Sequence, residues 1–407
     1  MGAAETVAAL TGFERRGAGT NAERRAALWL AGELRTARRE ATVETFWCRP
    51  NWALAHAWHT GLALAGSLVS VASPKLGGAV ILVALVSLVL DALTGVSLGR
   101  RLSPERASQN VVSRSADDSP PVKLIVTANY DAGRAGFAHR PALRRFAARL
   151  RTVTGALTPG WLGWLAIAFA WLLVTAILRD RGATGSTIGV AQLIPTAALV
   201  LALALLLELA GADYGPSAGD NASGTGLALA VVRALDVAPP RHLGVEVILQ
   251  GAGDGAMIGL KRHLRSRRRE LRSANTVVLG IAACGGGSPC WWTSDGSMFP
   301  LRFPRRLVWM ARSITGAGTG LNARPHAGRG VSPSFPARFA GLPGITIGCL
   351  DGPGLVPRSH RPGDLPDALD RGSIDKLLEF ALTLVDAIDA DLAQAASGRG
   401  AAAPAAA

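Results

Sequence analysis

The chain has 407 residues, 49% of them hydrophobic and 18% charged, with a mean hydropathy of +0.27. That is too apolar for an ordinary soluble enzyme and excludes disorder along the whole length. Its 43 Lys and Arg outnumber its 29 Asp and Glu, and the four cysteines (Cys48, Cys284, Cys290, Cys349) are too few and too scattered to form a disulfide scaffold.

In chain order, the opening MGAAETVAAL lacks the basic region and apolar run of a secretory leader. TNAERRAALWLAGELRTARRE has a Thr or Asn cap and apolar residues at helical spacing, and ATVETFW reads as a strand. Residues Ala53 to Ala72 and Leu76 to Leu90 carry no Asp, Glu, Lys or Arg and are separated only by Ser73, Pro74 and Lys75, the pattern of a helical hairpin. Gly160 to Leu178 and Ile188 to Leu207 form a second uncharged pair. At about 1.5 Å per residue, such segments span roughly the 30 Å of a bilayer's hydrocarbon layer. Trp52, Trp58, Trp161 and Trp164 stand at the openings of these pairs, where amphipathic rings favour the headgroup layer. Asp91 makes the second segment the weakest of the four, and Pro195 is expected to kink the fourth. The competing reading is four buried helices of a large α/β protein.

Flanking charge sets the orientation. Arg35, Arg38, Arg39 and Arg49 precede the first hairpin, and Arg100, Arg101, Arg140, Arg144, Arg145, Arg149 and Arg151 are among the cations between the two, whereas the tight turns hold only Lys75, Arg179 and Arg181. The positive-inside rule then places a multi-pass protein in the cell membrane, with its folded part in the cytoplasm.

Outside the hairpins (53–98 and 159–211) lie 1–52, 99–158 and 212–394, followed by a low-complexity tail at 395–407. VKLIVTANYD, GVEVILQGA, TVVLGIAAC and GITIGCL read as strands. TGLALAVVRAL, AMIGLKRHLRSRRREL and the stretch from about Ser373 to Gln394 read as helices. This alternation predicts an α/β fold, a mixed sheet with helices on both faces, with any site just beyond the C-terminal strand ends.

The segments at those strand ends occur in the order NYDAG (129–133), PSAGDNASGTG (216–226), GAGDGAMIG (251–259) and RSHRPGDLPDALD (358–370). Together with RGAGTNAERRAALWLAGEL and SQNVVSRS upstream, they resemble the co-catalytic di-zinc exopeptidases of metallopeptidase family 28, which include aminopeptidases and glutamate carboxypeptidase relatives. The resemblance implies a zinc-exopeptidase fold into which both hairpins are inserted.

It also implies roles for individual residues. The family's HxD histidine is replaced by Asn129, while the Asp of that motif remains as Asp131. Asp220 takes the metal-bridging position, and the paired glutamates, base then ligand, become Gly253 and Asp254. A further Asp ligand is expected where Ala283 or Cys284 stands, and the late His ligand is His360. Neutral Asn oxygen is a poor zinc ligand, so Asn129 is a weak candidate and Cys284 would contribute only as an inward thiolate. Asp220, Asp254 and His360 suit at most one zinc ion. Glycine at 253 supplies no general base, a group that typically contributes about 10² to 10⁴ in rate. Asp220 stands equally where it would cap a helix beginning near Ser223, and Asp254 where it would shape a turn.

The expected function is therefore a membrane protein with an impaired peptidase-like domain acting as a binding or scaffold protein. The alternative is a membrane-bound single-zinc hydrolase. Besides the bilayer, a peptide-like ligand and anionic lipid are the expected partners. Lys261 to Arg272 packs seven Lys and Arg into twelve residues, a solvated helix face or an anionic-lipid contact, with nucleic acid a distant third.

Overall fold

VKLIV, GVEVI, TVVLGI and GITIG are apolar at nearly every position, as strands covered on both faces must be. The computed structural model describes residues 2–115, 120–155, 158–315 and 321–396. Its strands are β1 (Thr42–Cys48), β2 (Arg106–Ser113), β3 (Val122–Asn129), β4 (Leu243–Gln250), β5 (Thr276–Ile281), β6 (Ser288–Asp295), β7 (Leu301–Arg302), β8 (Arg324–Ala327) and β9 (Gly344–Leu350). They form one mixed sheet in the order β1-β2-β4-β3-β5-β9-β6-β7, with β8 beside β6. The central β4-β3-β5-β9 run is parallel, and β2 and β6 flank it antiparallel.

The helices are α1 (Ala3–Thr11), α2 (Asn21–Thr36), α3 (Trp52–Ala72), α4 (Pro74–Thr94), α5 (Leu98–Arg101), α6 (Pro141–Thr154), α7 (Trp161–Asp180), α8 (Ser186–Gly211), α9 (Ser223–Val237), α10 (Ile258–Ser266), α11 (Arg305–Ser313), α12 (Phe335–Phe339) and α13 (Arg371–Ala396). Thr20 caps α2 by accepting from the Glu23 amide at 3.1 Å. The period-2 alternation of the central strands divides the core. Leu124, Val247 and Leu279 face α1, α2, α9, α11 and α13, while Ile125, Ile248 and Val278 face α10 and α12.

The two hairpins, α3–α4 and α7–α8, have an apolar core of their own built on Leu64, Ile81, Leu88, Phe169, Leu172 and Leu199. α3 and α4 approach closely at glycines: a Cβ on Gly77 would lie 2.4 Å from the Ser70 nitrogen. Three helices, α4, α7 and α8, are long and apolar enough to cross a membrane, with mean hydropathies of 2.5, 2.1 and 2.4. The expectation that the second segment is the weakest is corrected here, because the first one is. α3 buries His56, His59, Thr60, Ser67 and Ser70 among its neighbours, and Gln192 of α8 donates to the Ser67 carbonyl at 2.6 Å and to Ser70 Oγ at 3.2 Å. α4, α7 and α8 instead leave Leu76, Leu82, Val86, Trp171, Val174, Leu193 and Ile194 uncovered. Asp91 does not interrupt α4. It is buried in the last turn, 2.7 Å from Arg100 Nε and 3.4 Å from His56 Nε2. α8 runs through Pro195 as a single 26-residue element.

α1, α5, α6, α11, α12, β2, β6, β7 and β8 lie outside the elements that the sequence pattern predicts. The pattern also predicts one helix through the Lys261–Arg272 run, whereas α10 ends at Ser266. Of the tail, residues 397–407 lie outside the described residues.

Candidate functional site

Asn129 ends β3, and the loops after β3, β4 and β5 open at the same edge of the parallel strands, where an α/β sheet presents its site. Buried carboxylates fix these loops by their backbone. Asp131 accepts from Gly253 N at 2.9 Å and Asp254 N at 3.0 Å, and Glu23 accepts from Ala252 N at 2.9 Å, Gly19 N at 2.6 Å and Ser108 Oγ at 2.8 Å. Three consecutive amides of the AGD loop are thus each held by a carboxylate from below. The GDN loop repeats the device, with Gly219 N and Asp220 N donating to the two oxygens of Asp364 at 2.8 and 3.0 Å. Burial is the main cause pushing Glu23 up to about 8 and Asp131 and Asp364 up to about 6, with Asp131 further raised by Asp254.

Arg16 joins these loops from beneath. It is 1% exposed and donates to the carbonyls of Tyr130, Leu10, Pro216 and Ser217 at 2.7 to 3.0 Å. Burial draws it down to about 10, against the pull of Asp131 and Asp364.

Above this floor the structure brings together Asp220, Asp254 and His360. His360 Nε2 lies 3.6 Å from Asp220 Oδ2 and 3.6 Å from Asp254 Oδ1, and its Nδ1 lies 3.1 Å from the Arg134 carbonyl. Burial alone would lower its basicity, but the two carboxylates and that carbonyl outweigh burial and raise it. Ser359 donates to Asp220 Oδ2 at 2.5 Å. The residue preceding α9 is Ala222, and no side chain caps that helix, so the Asp220 carboxylate serves His360 and Ser359 instead. Gly133 makes room for His360: a Cβ there would lie 2.0 Å from the ring's Cε1.

The remaining candidates lie elsewhere or are already engaged. Asn129 donates to Asp131 Oδ1 at 3.3 Å and accepts from Asn221 Nδ2 at 2.8 Å, so its amide is consumed locally. Cys284 lies in the apolar core with its thiol pushed up by burial to about 12, which disfavours a ligating thiolate. Gly253 has no space for a side chain. A Cβ would stand 2.2 Å from Asn129 Cβ, 2.8 Å from Asn129 Cγ and 3.0 Å from Asp131 Oδ1.

The roof comes from the root of the first hairpin and from the short 3-10 helix Phe137–His139 that precedes α6. Trp52, at the start of α3, donates to Asp254 Oδ2 at 3.2 Å, and its ring rests where a Cβ on Gly255 would be, at 2.3 Å. His139 stacks on His360 with centroids 4.3 Å apart. Asn51 reaches the Ala210 carbonyl at 3.1 Å, tying the roots of the two hairpins together. The cavity that touches Asp254, lined also by Trp52, Arg134 and Tyr214, measures about 20 Å³, room for about one water.

A two-zinc site does not fit these residues. Among the described residues, no group of three or more His, Cys, Asp or Glu side chains stands ready to hold a metal ion, and the imidazole of His360 is placed to neutralise both flanking carboxylates itself. Arg16, Glu23, Ser359 and Asp364 escaped the sequence reading. RRGAGTNAE, with charged residues embedded among small ones, was the available signal for the first two.

No family model matches the sequence, and no curated protein matches it. Among solved structures, a zinc aminopeptidase from Bacillus subtilis superposes with a TM-score of 0.55 at 12% identity, covering 94% of this chain and 93% of that one. A glutaminyl cyclase from Fimbriiglobus ruber gives 0.51 at 14% identity over 95% and 94%. LapB from Legionella pneumophila gives 0.51 at 10% identity over 95% and 71%. The chain therefore has the zinc-aminopeptidase-like fold, a mixed sheet between helices. Added to that fold are three helices apolar enough for a membrane and a site whose donor set departs from two-metal chemistry.

Proposed function

We propose that this chain is a multi-pass membrane protein derived from metallopeptidase family 28, its folded domain on the cytoplasmic side, and that it works by binding rather than by hydrolysis. The observation that carries the reading is the closed position 253. The place where the family resemblance implies a general base is filled to 2.2 Å by Asn129, and Asp131 is occupied with loop amides. Without a carboxylate free to take a proton from water, peptide hydrolysis has no proton acceptor. Trp52 and His139 cover the same site, which favours a small or peptide-like ligand admitted only when those rings move. The placement of His360 Nε2 3.6 Å from both Asp220 and Asp254 supports a second reading, a hydrolase using a single zinc ion, for which these three side chains would have to rearrange, since no ready metal-holding group stands among the described residues.

Elemental analysis of purified protein together with hydrolysis of amino-acid anilides separates the two. Binding alone gives no more than about one zinc per chain and no turnover. Hydrolysis that disappears in Asp220→Ala would establish the enzyme.

A further inference from the structure

The seven-cation run does not act as a unit. Arg267 is 7% exposed and committed to Glu246 at 3.0 Å and Glu270 at 2.8 Å, and Arg268 and Arg269 lie exposed beyond the end of α10. Lys261 and Arg265 instead turn toward the base of the first hairpin. There a cavity of about 200 Å³ is lined by Lys261, Arg262 and Arg265 from α10, by Arg49, and by Arg100 and Arg101 of α5, and its wall is completed by Thr94 to Ser97 at the end of α4.

Three of these cations are already engaged. Arg100 pairs with Asp91, Arg49 donates to the carbonyls of Arg100, Arg101 and Ser103, and Arg262 donates to the Trp47 carbonyl at 3.1 Å. The side chains of Arg101, Lys261 and Arg265 make no hydrogen bond or ion pair among the described residues. Glu105, which also lines the cavity, lies 3.8 Å from Arg49. Burial, then the neighbouring Arg100 and Arg265, draws Lys261 down to about 8 against the opposing pull of Asp91, the mark of an ammonium lacking its counter-charge. Beside this cluster, Leu93, Val96, Leu98 and Leu102 are each about half exposed or more. Uncompensated positive charge and uncovered aliphatic side chains thus meet where α4, the most apolar of the candidate spans, leaves the bilayer.

We infer that this cavity binds a phosphate group, supplied by the headgroup of an anionic membrane lipid whose acyl chains lie against the rim of Leu93, Val96, Leu98 and Leu102. The inference rests on the membrane-spanning reading of the hairpins. Cations near an anionic leaflet each strengthen attachment by a factor of about five, so losing the three uncompensated ones should cost about a hundredfold.

The test uses the full chain in nanodiscs of phosphatidylcholine with one fifth phosphatidylglycerol. Native mass spectrometry then counts the phosphatidylglycerol retained on release, for the wild type, for Arg101→Ala/Lys261→Ala/Arg265→Ala, and for Arg268→Ala/Arg269→Ala as a charge control from the same run. One retained phosphatidylglycerol, lost in the triple variant and kept in the control, is the expected result. Equal loss in both variants would reduce the effect to net charge and overturn the site. Displacement of the lipid by millimolar inorganic phosphate, with phosphate retained in detergent, would reassign the cavity to a soluble anion. Alkaline carbonate extraction of cell membranes separates the two failures. A chain that stays in the pellet but retains no phosphatidylglycerol overturns the lipid site alone, and a chain that washes off overturns the membrane reading beneath it.

Discussion

Restoring the family's base at position 253 is the direct way to ask whether the site could be revived, and the geometry says that it would damage the protein first. Even Gly253→Ala puts a Cβ 2.2 Å from Asn129 Cβ, well inside contact distance, and Gly253→Glu adds a carboxylate beside Asp131, which is already raised to about 6. Overpacking of this kind costs about 1 to 3 kcal/mol, and a second buried negative charge adds to that. The expected outcome is a loss of about 1 to 3 kcal/mol for Gly253→Ala and more for Gly253→Glu, read as a lowered midpoint of thermal unfolding in detergent. The clash is with Asn129 Cβ itself, so Asn129→Ala should leave the loss in place, whereas Asn129→Gly should recover most of it in a double-mutant cycle. A Gly253→Glu protein with the wild-type midpoint, or one that gains zinc-dependent peptidase activity, would refute the reasoning.

Gly133→Ala should drive its methyl into the His360 ring, to within 2.0 Å of Cε1. The histidine proton resonances of His360 should shift and its contact with His139 should weaken, and unchanged resonances would contradict the packing. Arg16→Met should be among the most damaging single substitutions, by about 3 to 5 kcal/mol, because four buried carbonyls lose their donor; Arg16→Lys should rescue little, since an ammonium cannot reproduce the planar fork, and expression with thermal unfolding reads both. Glu23 is pushed up to about 8 in the folded state, above its ordinary value near 4.5, so the folded protein holds that proton more tightly than the unfolded chain does. Its contribution is fully present below about pH 4.5 and is lost as pH rises through about 8, a decline of a few kcal/mol that Glu23→Gln should flatten in urea titrations across this range.

What could be read from the sequence followed from local pattern. Apolar runs gave β3, β4, β5 and β9, and uncharged runs gave the hairpins, because both signals lie in consecutive residues. The motifs at the strand ends single out Asp220, Asp254 and His360, and the structure places His360 Nε2 3.6 Å from a carboxylate oxygen of each aspartate. What escaped depends on contacts distant in sequence. Arg16 bonds to Ser217, 201 residues away, and Glu23 to Ala252, 229 residues away; neither partner leaves a mark on its neighbours. β6, SPCWWTSD, lies between a glycine run and a short edge strand, and its two tryptophans read as readily as membrane-boundary residues. The closure at Gly253 could not be read at all, since a glycine in sequence shows what is missing but not what has moved into the space.

The polar face of α3 has a consequence for how the molecule is made. Ser67 and Ser70 are covered by Gln192, which lies more than 120 residues further along the chain. During synthesis the first hairpin is therefore finished well before the helix that shelters it exists, and until α8 arrives the Ser67 hydroxyl lacks its Thr196 and Gln192 partners, while Ser70 Oγ still donates to the Ser67 carbonyl within α3. The segment leaving α8 carries Tyr214 to the small cavity beside Asp254, so that wall of the cleft is completed only once the second hairpin has docked.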